Sequence, residues 1–170
     1  MIALAAFGHA QTFTLKSKDL GGQFGSKHFG NSFGCKGENQ SPELMWENAP
    51  KDTKAFAVTM YDPDAPTGSG FWHWVVYNIP AGTTSMAADA GNHSGKNLPK
   101  DAVNGNNDAG APGYVGPCPP AGPAHQYIIT VYALKTPLQL DKNASAALIG
   151  YMLNANSLGK ASIISYGERY

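Results

Sequence analysis

Short apolar runs separated by long polar loops predict a mainly β chain with little helix. The runs that are expected to form strands fall at residues 11–15, 44–46, 55–61, 72–79, 126–134 and 161–166. The runs at 55–61 and 72–79 combine β-branched and aromatic residues, as strands buried in a core do. Pro80 follows the second of them and is expected to end it.

Alternation along two of these strands places a histidine at the start of an apolar face, because successive side chains in a strand point to opposite faces. One face of the 72–79 strand carries His73, Val75, Tyr77 and Ile79. One face of the 126–134 strand, counted from the preceding residue, carries His125, Tyr127, Ile129 and Val131. Each histidine is therefore expected where a strand begins, beside a long loop.

One helix is predicted, over residues 143–156, with Asp141 or Asn143 as its N-cap. Three apolar residues recur at helical spacing and share one face: Leu148, Met152 and Ala155. Gly159 is expected to end the helix before the last strand.

The long connection at residues 81–124 separates the two histidine-bearing strands, and such a connection usually has a function or is disordered. Residues 113–122 within it contain several glycines, as phosphate-binding loops do, but they also contain prolines. Pro117, Pro119 and Pro120 have no N–H to offer a phosphate, so we expect a stiff wall and not a nucleotide cradle.

Composition narrows the classes of partner. A chain of 170 residues with 20 glycines and 12 prolines is most simply one domain rich in turns. Charged residues make up 14% and the net charge is zero, so no basic face for a nucleic acid is expected. The only arginine is Arg169, near the C-terminus, so an anion site inside the fold must use histidines, hydroxyls or backbone N–H groups.

The N-terminus and the cysteines favour export to the periplasm or the medium. Residues 1–10 are small and apolar and end in a small-x-small motif, which we interpret as the remnant of a truncated signal peptide before a single domain at 11–170. An apolar tag or a first strand is the alternative. Cys35 and Cys118 are expected to form a disulfide in an exported protein and to remain two thiols in a cytosolic one. No run reaches the roughly 18 apolar residues that a transmembrane helix needs.

Asp62 and Asp64 flank Pro63 in the loop between two predicted strands. In an extended segment, carboxylates at this spacing project the same way. They are candidates to orient a histidine or to accept from an ammonium or hydroxyl group of a ligand. Capping a turn is the competing explanation, since aspartate does so routinely.

His73 and His125 are the candidate anion donors, because a protonated histidine supplies the charge that arginine would otherwise bring. A lone histidine beside tryptophan is more often a packing residue, but two at strand starts beside proline-rich loops indicate a site. His9, His28 and His93 lie in polar or terminal segments and are expected to be exposed to solvent.

The order and spacing of these motifs resemble the phosphatidylethanolamine-binding protein family, also called Raf-kinase-inhibitor-like. The motifs are Asp62-Pro-Asp-Ala-Pro66, Trp72-His73-Trp74, Gly113-x-x-Gly-Pro-x-Pro-Pro120 and His125-x-Tyr127. The stretches at 34–42 and 150–156 are similar to the bacterial branch of the family, specifically to its exported members. The resemblance extends over nearly the whole chain.

The resemblance implies a mainly β (α+β) fold, a β-sandwich of two antiparallel sheets with a few peripheral helices. It also implies a small pocket at one end of the central sheet that binds the phosphate of a lipid headgroup or another small anion. Carried onto this sequence, the site consists of Asp62, Asp64, His73, Gly116, Pro117, Cys118, His125 and Tyr127. Neither a cofactor nor a metal is implied.

We therefore expect a non-catalytic binding protein in which both histidines donate to a small anion or phosphorylated headgroup. One alternative is a regulator that inhibits a kinase or a protease through protein contacts. Another is a hydrolase that uses either a metal held by histidines and a carboxylate, or Cys118 and His125 as nucleophile and base. A protein partner and a homodimer are left open.

Overall fold

The computed structural model describes residues 11–169, so the proposed signal-peptide remnant at 1–10 lies outside the described residues. This part of the chain contains β-strands and one α-helix, and every predicted strand is present in some form. In chain order the elements are β1 (Thr14–Lys16), β2 (Leu44–Glu47), β3 (Ala55–Asp62), β4 (Phe71–Pro80), β5 (Ser85–Met86), β6 (Val103–Asn104), β7 (His125–Leu134), α1 (Ala146–Asn156) and β8 (Ser157–Gly167).

The strands form two antiparallel sheets, which confirms the predicted fold class. The smaller sheet has the order β1-β2-β5, and the larger has the order β6-β4-β3-β7-β8. Its central strand, β3, pairs with both β4 and β7 over nearly its whole length. Between residues 11 and 169 a single helix, α1, accompanies the sheets, where the resemblance implied a few.

Two apolar cores lie on the two faces of the five-stranded sheet. The core between the sheets packs Trp46 of β2 against Met60 of β3 and Trp74 of β4. The core on the other face packs Ile149 of α1 against Val75 of β4. Because β3 is covered on both faces, its sequence is a continuous apolar run without alternation.

The predicted face of β4 is wrong. Val75 and Tyr77 belong to the core under α1, whereas Ile79 belongs to the core between the sheets and the His73 ring packs against Tyr127 there. Two register shifts between β3 and β4 explain the error, because each extra residue reverses the alternation beyond it. The prediction for β7 is confirmed, since its apolar alternation faces the core between the sheets.

The helix prediction is right in position and wrong in detail. Ser145 is the N-cap, and its hydroxyl accepts from the Leu148 N–H at 3.2 Å. Leu148 is 47% exposed and Ala155 is also exposed, so the predicted face is not the buried one. The buried face consists of Ala146, Ile149, Gly150 and Leu153. At Gly150 a Cβ would lie 2.9 Å from the Trp72 ring, so only glycine allows this close approach of helix and sheet. Strand β8 follows at once and includes Gly159, which therefore does not end the helix.

His28 is completely buried, so its predicted exposure is wrong. Its ring meets Phe24 edge to face, and its Nδ1 lies 2.9 Å from the Gln40 carbonyl oxygen. The Gly- and Asn-rich segment around it suggested a solvated loop, but the segment folds back onto the sheet and carries the ring inside. His93 is exposed, as predicted.

A disulfide joins Cys35 to Cys118 across 83 residues of sequence. It links the irregular segment before β2 to the proline-rich segment before β7. None of the helices within residues 11–169 is long and apolar enough to cross a membrane.

Loss of the disulfide should destabilise the fold. Replacing both Cys35 and Cys118 by serine is expected to lower the free energy of unfolding by about 4–5 kcal/mol, because the unfolded chain regains the entropy of a long loop. Guanidinium denaturation of the oxidised wild type, the reduced wild type and the double variant measures this. A difference below about 1 kcal/mol would show that the crosslink does not constrain the unfolded chain as that entropy argument requires.

Candidate functional site

A cavity of about 240 Å³ opens at the end of the five-stranded sheet, where β3 ends and β4 and β7 begin. The chain topology places it there. Because β3 is antiparallel to both neighbours, its C-terminal end lies beside the N-terminal ends of β4 and β7. The last residue of β3, Asp62, and the first residue of β7, His125, therefore meet at the floor.

The Asp62 carboxylate is the centre of the floor and is only 2% exposed. Its Oδ2 lies 2.8 Å from His125 Nδ1 and 3.9 Å from His73 Nε2. Its Oδ1 accepts the Asp64 N–H at 2.8 Å, which closes a turn directly after β3. Asp62 therefore does both things that the sequence suggested for it, because one oxygen caps a turn and the other contacts a histidine.

The two histidines use their ring nitrogens differently. The His125 Nδ1–H donates to the Asp62 carboxylate, which can only accept while it is ionised. The His73 Nδ1–H donates to the Val115 carbonyl at 2.7 Å. Each ring thus has its Nε2 available for a ligand, and that nitrogen is an acceptor in the neutral ring and a donor in the protonated ring.

Burial lowers the pKa of His73 to about 4, against the opposing effects of the Val115 carbonyl and the Asp62 carboxylate. The ring is 7% exposed and packs against Phe71 and Tyr127, at centroid distances of 4.7 and 5.1 Å. His73 is therefore neutral at pH 7, and its Nε2 is an acceptor.

The Tyr127 hydroxyl is a buried donor that lies near the Asp62 carboxylate but does not reach hydrogen-bonding geometry with it. No protein atom among the described residues meets it with hydrogen-bonding geometry, although it belongs to the lining of the cavity. Burial, and then the nearby Asp62 charge, raise the pKa of Tyr127 well above its usual value. The hydroxyl therefore keeps its proton. A ligand oxygen that accepts from a buried donor of this kind stabilises the complex, because the donor would otherwise lack a hydrogen bond.

The segment before β7 forms one wall of the cavity. The Gly116 N–H donates to the Asn39 side-chain oxygen at 2.8 Å, so this N–H is not available to a ligand. A Cβ on Gly116 would lie 2.2 Å from the His28 carbonyl oxygen, so only glycine fits there. The Cys118 N–H has no protein acceptor within residues 11–169 and is the backbone donor left on this wall.

Six of the eight predicted site residues line the cavity and two do not. The six are Asp62, His73, Gly116, Cys118, His125 and Tyr127. Asp64 is exposed, and its Oδ2 accepts the Gln126 N–H at 2.8 Å, so it fixes the start of β7 from outside the cavity. The expectation that the two aspartates project together is wrong because the chain turns after Asp62. Pro117 is buried behind the wall, and its carbonyl accepts from the Gly30 N–H.

The apolar part of the lining was predicted only in part, at Pro119 and Pro120, which were expected to form a stiff wall. It comprises Phe33, Ala65, Pro66, Phe71, Pro119 and Pro120, together with Val115 and the methyl-bearing Thr67. Phe33 is 67% exposed in a positive-φ turn, which is unusual for a large aromatic residue in a polar loop. That isolated phenylalanine among glycines and asparagines was the one signal in the sequence that could have found this rim.

The described residues, 11–169, contain no group of three or more His, Cys, Asp or Glu side chains arranged to hold a metal ion. Asp62, His73 and His125 line the same cavity, but they do not make up such a group. Both cysteines are consumed in the disulfide, so neither is a thiol nucleophile.

Comparison with known proteins relates the chain to one family. The family profile described as phosphatidylethanolamine-binding protein matches residues 16–166. The chain is 51% identical over 158 residues to UPF0098 protein YbcL of Escherichia coli, covering 91% of this chain and 86% of that protein. It is 43% identical over 152 residues to UPF0098 protein YbhB of the same organism, covering 88% and 96%.

The crystal structure of E. coli YbcL, described as a new member of the mammalian PEBP family, has the same fold. It superposes with a TM-score of 0.90 at 49% identity and covers 93% of this chain and 99% of that chain. The matched profile spans both walls of the cavity and all five strands of the larger sheet. The chain belongs to the phosphatidylethanolamine-binding protein family.

Proposed function

We propose that the protein is a non-catalytic binding protein whose pocket takes a small anionic group, such as the phosphate of a phosphorylated headgroup. The observation that carries this is the Asp62–His125 pair beside the unpartnered Tyr127 hydroxyl, at the floor of a cavity of about 240 Å³. These groups offer hydrogen bonds to a ligand oxygen from positions that the fold holds fixed.

His125 and Tyr127 are the main donors in this proposal. Asp62 accepts from the His125 Nδ1–H and so orients the ring, and in a protonated ring the Nε2–H donates to the ligand. The Tyr127 O–H donates a second bond and the Cys118 N–H a third. A short charge-assisted bond to a protonated histidine is about twice as strong as a neutral one.

His73 has a different part from the one that the sequence suggested. Because it is neutral at pH 7, its Nε2 accepts, and it can take the hydrogen bond of a ligand O–H or ammonium group. It becomes a donor only when an anion in the pocket offsets the cost of protonating a buried ring. A singly protonated phosphate meets both requirements, since it has an O–H for His73 and bare oxygens for His125.

The alternatives have less support. The disulfide removes the thiol that a cysteine-dependent hydrolase needs. A metal-dependent hydrolase has no ligand cluster to draw on within residues 11–169. The same disulfide supports an oxidising location, in the periplasm or outside the cell, as part of the proposal.

Removal of the His125 side chain should weaken anion binding. His125→Ala is expected to lower the affinity for phosphate or phosphorylethanolamine at pH 7 by about tenfold, because a charge-assisted bond is lost. Isothermal titration calorimetry measures this, with acetate as a smaller anion for comparison.

The matched control is His93→Ala, because His93 is exposed and lies outside the cavity lining. It should bind as the wild type does. Unchanged affinity in His125→Ala would remove His125 from the site. No detectable heat for the wild type with any of the three anions would refute the proposed function.

Acid should destabilise the fold through His73. The pKa of His73 is about 4 in the folded protein and has an ordinary value of 6.5 in the unfolded chain. Between pH 6.5 and 4 the unfolded state binds more protons, so the free energy of unfolding falls as the pH falls. The loss attributable to His73 is about 3 kcal/mol at pH 4.

Urea denaturation between pH 7 and pH 4 tests this linkage. His73→Gln, which keeps an N–H donor for Val115 but does not titrate, should show a flatter dependence than the wild type. His93→Gln should follow the wild type. Parallel curves for wild type and His73→Gln would mean that His73 keeps an ordinary pKa in the fold.

A further inference from the structure

Arg169 is the only arginine of the chain; it is not part of the cavity lining, but it contacts two residues that are. Its Nη1 is 3.4 Å from the carbonyl oxygen of Phe33 and 3.7 Å from the sulfur of Cys118. Both of these residues line the cavity. The disulfide holds the Phe33 loop and the Cys118 wall together, so both contacts of the guanidinium are with the same wall of the cavity.

The floor of the pocket lacks a fixed positive charge. Asp62 contributes one negative charge, and His73 is neutral at pH 7. Even with His125 protonated, the charges of the Asp62–His125 pair cancel. A ligand with one negative charge can be held by the hydrogen bonds of the floor, but a second negative charge has no compensating group there.

The contacts that hold the guanidinium are weak. A donor–acceptor distance of 3.4 Å is at the long end for an N–H···O bond, and sulfur is a poor acceptor. Little is lost if the head group turns from them towards a ligand. A guanidinium also presents a fork of N–H groups that matches two phosphate oxygens.

We propose that Arg169 is a specificity-determining residue that makes the pocket prefer a phosphomonoester dianion to a phosphodiester monoanion. The inference rests on the proposed anion-binding function and adds to it the charge class of the ligand. In the complex, one side of the phosphoryl group faces His125 and Tyr127 at the floor, and Arg169 pairs with the outer oxygens. A monoester dianion has no O–H for His73, so here the charge of the ligand must offset the cost of protonating that buried ring, which then donates.

Calorimetry with methyl phosphate and dimethyl phosphate at pH 7 tests the proposal, because a phosphomonoester then carries close to two negative charges and the diester one. The wild type should bind the monoester about tenfold more tightly than the diester. Arg169→Gln should lose about tenfold in monoester affinity and less than about threefold in diester affinity. Arg169→Lys should recover part of the preference, since it keeps the charge without the fork.

Lys160→Gln is the matched control, because it removes one positive charge from the exposed side of β8, away from this pocket. It should leave both affinities unchanged. If Arg169 only supported the Phe33 loop, Arg169→Gln would weaken both ligands by the same factor, and that outcome overturns the proposal. So does a wild type that binds both ligands equally.

The two levels of inference fail separately. A wild type that binds neither methyl phosphate nor dimethyl phosphate refutes the proposed function and this inference with it. If the wild type binds both ligands and the Arg169→Gln variant keeps the same preference, the proposed function stands and only the role of Arg169 in specificity is refuted. Thermal denaturation of each variant shows that it is folded, so a loss of affinity reports on the site.

Discussion

The buried Asp62 carboxylate is the interaction on which the pocket depends. One oxygen ends β3 by closing a turn, and the other holds His125 at the start of β7. A carboxyl group that is 2% exposed is costly to bury unless it is hydrogen-bonded, and here both of its oxygens accept hydrogen bonds. The same carboxylate therefore fixes the end of one strand, the start of another and the orientation of the main donor. Stability and ligand binding share one residue at this point of the sheet.

A second constraint acts from the opposite wall. The disulfide joins the Phe33 loop to Cys118, and the Asn39 side chain holds the Gly116 N–H, so two irregular segments are fixed against the end of the sheet. Neither segment has regular secondary structure that would position it alone. Loops held in this way can present apolar side chains to solvent at a rim without collapsing into the cavity. The result is a polar floor inside an apolar opening, which suits a ligand with a small charged head.

The strands could be predicted from the sequence because their apolar runs are long and are bounded by glycine and proline, and the motifs around Asp62, His73 and His125 indicated the site. The face of a strand on which each side chain lies, and the burial of individual side chains, were predicted less accurately. Bulges reverse the alternation in β4, and nothing in the one-dimensional pattern marks them. His28 appeared exposed because its neighbours are polar, yet packing against Phe24 buries it. The chain turn after Asp62 separates two aspartates that an extended segment would have kept together.

The sequence by itself determined the class of fold, the family and the pairing of two distant histidine motifs, because these follow from local propensity and from ordered motifs along nearly the whole chain. Only the tertiary structure decided which atoms of those residues remain available. Burial makes His73 an acceptor at neutral pH, the Asn39 side-chain amide occupies the Gly116 N–H, and the chain returns Arg169 to the backbone of Phe33. Each of these outcomes depends on contacts between residues far apart in the chain, and no pattern along one strand or loop can specify them.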